Sequence, residues 1–378
     1  MFKPFLYLTL SLAFSGHAYA QTSFQTEAPH AVIIDAASGE VLFEKDARQP
    51  MPPASMTKIM TAQMVFEALE AGTLSPATEF VVSEDAWRRG GFASGSSTMA
   101  LDLNSKVSVE NLIKGVIIQS GNDACIVLAE GMVGSETAFA ERMTARAREM
   151  GLDSATFRNA TGWPHPEHRI SALDLAKLAQ KQILQFPQYY PIYAETEFTW
   201  NGVRQFNRNP ILGRVTGADG LKTGSTSEAG YGLVGSAKRG DDRRIIVING
   251  LESAADRRDV ATRLMEAAFL QFRVYDLHSQ GETLAEVDIF MGNSEKVGVA
   301  LTQDIRKGMP ISDRNSVTTS VKYVTLAAPI TKGDKVAELE VKIPGRPVET
   351  YDLVAIEDVA RKGLFARAWS GLMIKLRG

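Results

Sequence analysis

The chain has 378 residues, 44% of them hydrophobic and 22% charged, with a net charge of −3 and one cysteine, Cys125. That length holds one large domain or two to three smaller ones, each with its own core. The charge leaves no electrostatic footprint for nucleic acid, and a single cysteine excludes an internal disulfide and a cysteine-based metal cluster.

Residues 1–20 stand apart. Lys3 gives a short positive start, Phe5 to Phe14 is almost wholly apolar, and Ala18-Tyr19-Ala20 has the small-x-small form of a cleavage site. The pattern predicts a secretory signal peptide: a membrane span needs about 20 apolar residues, and Ser15, Gly16 and His17 intervene. The mature protein is therefore expected outside the cytoplasm. Ala31 to Phe43 shows two apolar runs around Ala37-Ser38-Gly39, a β-hairpin signal. Pro52 and Pro53 lead into a helix whose residues Ile59, Met60, Met64, Val65, Phe66 and Leu69 recur at helical spacing up to Gly72. Residues 73–108 are mixed, with Gly90-Gly91 and Ser94-Gly95-Ser96-Ser97 marking a loop. Val109–Ile118, Asp123–Met132, Ser135–Met150 and Ala172–Gln185 read as helices, and this middle block carries no strand signal. Apolar neighbours make Cys125 a buried structural thiol.

Strands return near Phe198 to Val203. Gly230–Lys238 and Arg243–Gly250 flank Arg239-Gly240-Asp241-Asp242 as a hairpin, and Asp256 to Phe272 follows as a helix. A hairpin first, helices inside, then strands and a helix predict one antiparallel sheet between helices over residues 21–277, with the two chain ends meeting in the sheet. Residues 278–350 change texture, with short alternating strands punctuated by Gly and Pro, and read as a small all-β, sandwich-like domain. Residues 351–378 read as a terminal helix. Leu364, Phe365, Ala368, Trp369, Leu372, Met373 and Leu376 share one side, with Arg361, Lys362, Arg367, Lys375 and Arg377 supplying charge. A basic amphipathic helix with Trp and Phe on its apolar side suits a membrane interface, the alternative being a helix docked on the β-domain.

The candidate chemistry begins at Ser55-Met56-Thr57-Lys58. Residues three apart on a helix share a face, so the Ser55 hydroxyl and the Lys58 amine can meet at the helix start, where free N–H groups point outward. A serine nucleophile needs such a base, and donors for the charge that develops on the attacked carbonyl. Alone the motif is weak, expected about once by chance in a chain of this length. Two further motifs follow in order, Ser120-Gly121-Asn122 between helices and Lys222-Thr223-Gly224 ahead of a hairpin. The three together match the active-site set of penicillin-binding proteins and serine β-lactamases. Their roles follow physically. Lys58 must be neutral to take a proton, whereas only about 0.04% of free lysine is deprotonated at pH 7. Burial and the nearby cation Lys222 would both lower its pKa. Ser120 can relay a proton to the departing amine and Asn122 can hold a substrate amide. Lys222, Thr223 and Arg208 offer donors to a terminal carboxylate. Backbone N–H groups of Ser55 and Ser225 are candidate oxyanion donors.

The stretches Asn207-Arg208-Asn209, Asp219 to Gly224 and Ala229-Gly230-Tyr231 resemble the D-alanyl-D-alanine carboxypeptidases, the low-mass penicillin-binding proteins. So does the layout of signal peptide, catalytic domain, small β-domain and terminal amphipathic segment. The resemblance implies a β-lactamase/transpeptidase-like catalytic fold with Gly224 in the substrate-binding motif. Ser55 would attack the penultimate D-alanine carbonyl of a peptidoglycan stem peptide, and water would resolve the acyl-enzyme. It implies acylation by β-lactams, no metal or other cofactor, and a periplasmic protein held peripherally at the inner membrane. One departure stands out: several relatives place an arginine where this chain has Leu251, leaving Arg257 and Arg258 as stand-ins.

The rival readings are weaker. A β-lactamase needs a carboxylate that positions water, and Glu167 is the one suggestive candidate. A binding-only wall protein would not need Ser55, Lys58 and Ser120 together; it would keep its ligand after both Ser55 and Lys58 were silenced. His165-Pro166-Glu167-His168 lacks the spacing of a zinc helix, and Gly-x-Ser-x-Gly does not occur.

Overall fold

The computed structural model describes residues 24–324 and 326–363. The predicted signal peptide and the apolar stripe from Leu364 to Leu376 lie outside them. Alternating apolar residues build the central sheet from β1 (His30–Asp35), β2 (Val41–Lys45), β3 (Ala218–Thr226), β4 (Gly230–Arg239) and β5 (Asp242–Leu251). Its order is β2-β1-β5-β4-β3, with every pairing antiparallel. The two ends of the domain meet where Val32 faces Val247 and Ile33 faces Ile246.

Because side chains on a strand alternate faces, the sheet feeds two cores. Val32, Ile34, Val234, Ile245 and Val247 join the larger one, with α1 (Lys58–Glu70), α2 (Val109–Lys114), α3 (Asn122–Val133), α4 (Glu136–Glu149) and α5 (Ala172–Gln185). Ala31, Ile33, Leu233, Ile246 and Ile248 face the other way, onto α6 (Ala254–Leu270). Side-chain hydroxyls cap several helices: Ser108, Ser135, Ser171 and Ser253 each accept an N–H of the first turn.

The middle block differs from expectation in small ways. It contains two-residue and three-residue ribbons, Pro50–Met51 with Ile170–Ser171 and Glu79–Val81 with Lys106–Ser108, too short to give an alternation signal. The single strand expected near 198–203 is a hairpin, Glu197–Trp200 with Val203–Phe206, turning at Asn201-Gly202 with both residues at positive φ. That dipeptide favours such a turn.

The small domain holds β6 (Phe272–His278), β7 (Thr283–Phe290), β8 (Lys296–Leu301), β9 (Ile305–Pro310), β10 (Thr318–Lys322), β11 (Leu326–Ala327), β12 (Lys335–Lys342) and β13 (Glu349–Ala355). Six form a sheet in the order β10-β12-β13-β8-β7-β11, and β6 pairs with β9 as a ribbon beside it. One apolar core joins them. Here the expected terminal helix is corrected at its start. Residues 351–355 are strand, with Leu353 and Ala355 buried, since Tyr-Asp-Leu-Val-Ala alternates at the period of a sheet. Bridges Ile330–Val359 and Gly292–Arg361 carry the β structure past residue 350.

Candidate active site

A tight 3-10 turn, Ala54–Thr57, carries Ser55 into α1, which begins at Lys58. Ala54 is held at φ 48, a conformation that costs a non-glycine residue roughly 1–2 kcal/mol. Its neighbours hold it there. A Cβ on Gly162 would lie 1.9 Å from the Ala54 carbonyl oxygen, and one on Gly224 would lie 2.7 Å from that of Pro53. The Lys-Thr-Gly strand and the 162 loop are thus pressed against the turn that presents Ser55, and only glycine permits the approach.

Lys58 is buried, and its Nζ lies 3.0 Å from Ser55 Oγ, 2.7 Å from Asn122 Oδ1 and 2.7 Å from the Thr161 carbonyl oxygen. Two of these partners are fixed acceptors. Asn122 opens α3, its N–H donating to the Ser97 carbonyl at 2.8 Å and its Nδ2 to Ser96 Oγ at 3.0 Å. Thr161 sits in a loop wound around Asn159 Oδ1, which accepts the N–H groups of Thr161, Gly162 and Trp163. A neutral amine has two hydrogens and one lone pair. With both hydrogens committed to Asn122 and Thr161, the lone pair is left for the Ser55 hydroxyl.

Burial brings the Lys58 pKa down to about 8, with the Arg208 charge pushing the same way against Cys125, Asp123 and Glu136. Lys222, buried on β3, is pulled well below the ordinary lysine range by burial and then by the charges of Lys58 and Arg208. Repulsion between the Lys58 and Lys222 amines acts on both, and the Arg208 charge adds to it at each. Burial pushes the Cys125 thiol up to about 12, as suits an inert core residue.

Ser120 stands at φ 64 between the wide helical turn 115–119 and α3; its buried hydroxyl has no partner among the described residues. An unmet buried hydroxyl is costly and calls for an explanation. Thr223 is buried beside Lys222, whereas Ser225 is exposed opposite Tyr231. Arg208 Nη1 donates to Ser97 Oγ at 2.5 Å, which ties it to the loop that holds Asn122. Of the two stand-in arginines, the fold brings Arg257 to the site: its Nη1 reaches the Gly224 carbonyl at 3.4 Å and it lies over Tyr231. Arg258 instead pairs with Asp259 at the surface.

Sequence reasoning missed two supports. Asp123 accepts from the N–H groups of Met99, Leu101 and Ala124 and from Thr98 Oγ1, clamping the 98–101 loop to the start of α3. His168 Nε2 lies 2.8 Å from Thr57 Oγ1 while its Nδ1 accepts the Arg158 N–H, and burial drives its pKa down to about 3, so it stays neutral. Among the described residues no three His, Cys, Asp or Glu side chains are grouped to hold a metal. Glu167, the carboxylate a β-lactamase would need, is exposed and paired with Arg158 at 3.0 Å.

An antiparallel sheet between helices, with a Ser–Lys pair at a helix start and Lys-Thr-Gly on the adjoining edge strand, defines a serine-type hydrolase of the penicillin-binding class. The pattern of the D-alanyl-D-alanine carboxypeptidase family matches residues 17–252, and that of the C-terminal domain of penicillin-binding protein 5 matches residues 272–361. The chain is 36% identical to D-alanyl-D-alanine carboxypeptidase DacC of Escherichia coli, across 99% of this chain and 94% of that one. The crystal structure of the carboxypeptidase DacD from Francisella tularensis superposes with a TM-score of 0.79 at 29% identity, over 90% of this chain and 95% of that one. Penicillin-binding protein D2 of Listeria monocytogenes, solved in its ampicillin-bound form, gives 0.57 at 29% identity, over 66% of this chain and all of that one. The chain belongs to the D-alanyl-D-alanine carboxypeptidase family.

Proposed function

We propose that Ser55 is the acyl-forming nucleophile of this carboxypeptidase and that neutral Lys58 is its base. The observation that carries the reading is the Lys58 amine, 3.0 Å from Ser55 Oγ with its other two contacts taken by fixed acceptors. As Oγ bonds the penultimate D-alanine carbonyl carbon, its proton passes to Lys58 Nζ. The carbonyl oxygen gathers charge toward the Ser55 and Ser225 backbone N–H groups. Ser120 passes a proton to the departing amine and regains one from the Lys58 ammonium, the C–N bond breaks, free D-alanine leaves and Lys58 is neutral again. Water then adds to the ester carbon, giving up a proton to Lys58, which returns it to Ser55 Oγ as the ester C–O bond breaks, and the shortened peptide is released. Asn122 holds the peptide amide. Lys222, Thr223, Gly224 and Arg208, joined by Arg257, form the cradle for the terminal carboxylate.

The substrate is a peptidoglycan stem peptide ending in D-Ala-D-Ala, and β-lactams acylate the same serine. Residues 1–20 direct export and are removed. The enzyme works in the periplasm, attached to the inner membrane through its terminal segment; no described helix is long and apolar enough to cross a membrane. The test is D-alanine release from a stem pentapeptide, beside the intact mass of the protein with benzylpenicillin. Release together with a single adduct, both absent from Ser55→Ala, is expected. An adduct on the Ser55→Ala protein would overturn the assignment, and bulk penicillin consumption would indicate a β-lactamase.

A further inference from the structure

The small domain has two ends of opposite character. At one, Gly308 N donates to Glu40 Oε2 at 3.2 Å and Arg346 Nη2 to the Val41 and Leu42 carbonyls at 3.4 and 3.3 Å, so this end sits on β2 of the catalytic domain. The other end lies the length of β12 away, about 26 Å for an eight-residue strand. There Phe290, Tyr323 and Val324 are exposed, Val324 by 73%. Phe290 adjoins the 326–328 stretch that follows Tyr323 and Val324 in the chain. Ala327 faces Phe290 in register, the Ala328 N–H donates to the Phe290 carbonyl at 2.9 Å, and Tyr323 and Val324 line a cleft of about 390 Å³ with Leu326, Lys335 and Val336.

The C-terminal segment departs from the same end. Lys362 N donates to the Met291 carbonyl at 2.9 Å, and Arg361 Nε to that of Ala328 at 2.7 Å. We propose that this pole is a second membrane-contact surface, in which Phe290, Tyr323 and Val324 enter the lipid–water interface beside the segment starting at Leu364. The inference rests on the reading of residues 364–376 as an interfacial helix. Two residues span at most about 7 Å, so Leu364 begins within that distance of Lys362, which is bonded to the neighbour of Phe290. An interfacial helix lies about 5–10 Å into the headgroup layer. A helix at that depth therefore brings Phe290 to the same layer, where aromatic rings are favoured. Exposed Arg361 and Lys322, the latter also 3.7 Å from Glu340, flank the patch and suit anionic headgroups. Contact at two points, rather than through one tether, would fix which way the catalytic domain faces.

Cys125 is buried, so a single introduced cysteine takes an environment-sensitive dye selectively. The mature full-length protein carrying Val324→Cys or Val348→Cys, the latter exposed at the opposite end, is labelled. It is then mixed with phosphatidylethanolamine–phosphatidylglycerol vesicles, with co-sedimentation measured in parallel. The expected result is co-sedimentation of both, with a blue shift at position 324 and none at 348, and about tenfold weaker vesicle binding for Val324→Glu. Co-sedimentation with no shift at 324 would overturn the second contact while leaving the anchor intact. Absence of co-sedimentation would overturn the anchor and this inference together. A shift at 324 before vesicles are added, lost on truncation after Gly363, would mean that the chain's own C-terminal segment fills the cleft, and one that grows with protein concentration would mean a second copy does; either would overturn it.

Discussion

The two domains are built to different rules. Within residues 24–270 the core admits polar groups: Lys58, Lys222, Asp123, Asn122, Ser120, Thr161 and His168 are all buried. From Phe272 onward no polar or charged residue among those described is buried, and charges pair at the surface, as in Lys335–Asp352 at 2.7 Å. Burying an amine or hydroxyl is costly unless it is bonded. The catalytic domain carries part of that cost around Lys58, beside the positive-φ backbone of Ala54 and Ser120, and part elsewhere, as at the buried Arg244–Asp35 pair. The small domain's buried side chains are apolar.

The largest expected effects come from breaking the cluster around Lys58. Ser55→Ala should cost at least about 10⁴-fold in D-alanine release, and Lys58→Met about 10²–10⁴-fold, measured with a pentapeptide at saturating concentration. A Lys58→Met enzyme within tenfold of the parent would remove the base from the account. A matched glycine pair sharpens the comparison. Gly162 and Gly333 both have positive φ, but a Cβ at 162 meets backbone and one at 333 meets open space. Gly333→Ala should cost about 1–2 kcal/mol in denaturant unfolding, and Gly162→Ala about 3–5 kcal/mol with loss of activity. Equal costs would show that the loop does not hold the Ser55 turn.

Next in size, Arg257→Ala should raise KM about tenfold while Arg258→Ala leaves it unchanged, as charge-assisted hydrogen bonds are worth about 1.5–3 kcal/mol. The reverse result would exchange their roles. Smallest is Lys335→Ala, whose exposed, solvent-screened ion pairs should leave the melting temperature essentially unchanged. A marked loss of melting stability would mean the small domain depends on its charges after all.

The sequence made the order of motifs and the long helices legible, because period and capping are local properties. α5 runs over the expected residues, and Lys58 meets Ser55 as three-residue spacing requires. What stayed hidden depends on partners distant in the chain. Thr161 serves Lys58 through a main-chain carbonyl, which leaves no side-chain signature. Asp123 reads as an ordinary helix-start acid until the 98–101 loop folds onto it. The Asn201-Gly202 turn was visible as a dipeptide, and the alternation at 349–355 was visible too, but an adjoining amphipathic pattern absorbed it.

The most direct test of the central claim is the pH dependence of acylation by benzylpenicillin, followed by stopped-flow as rate constant over concentration. As the proposed base, Lys58 would act only when neutral, and burial brings its pKa down to about 8. The rate should rise about tenfold per pH unit below that value and level off above it, and Lys58→Met should lose both the rate and the slope. A wild-type profile that is flat through this range, or that bends only near the pKa of a free lysine, would contradict a buried neutral base.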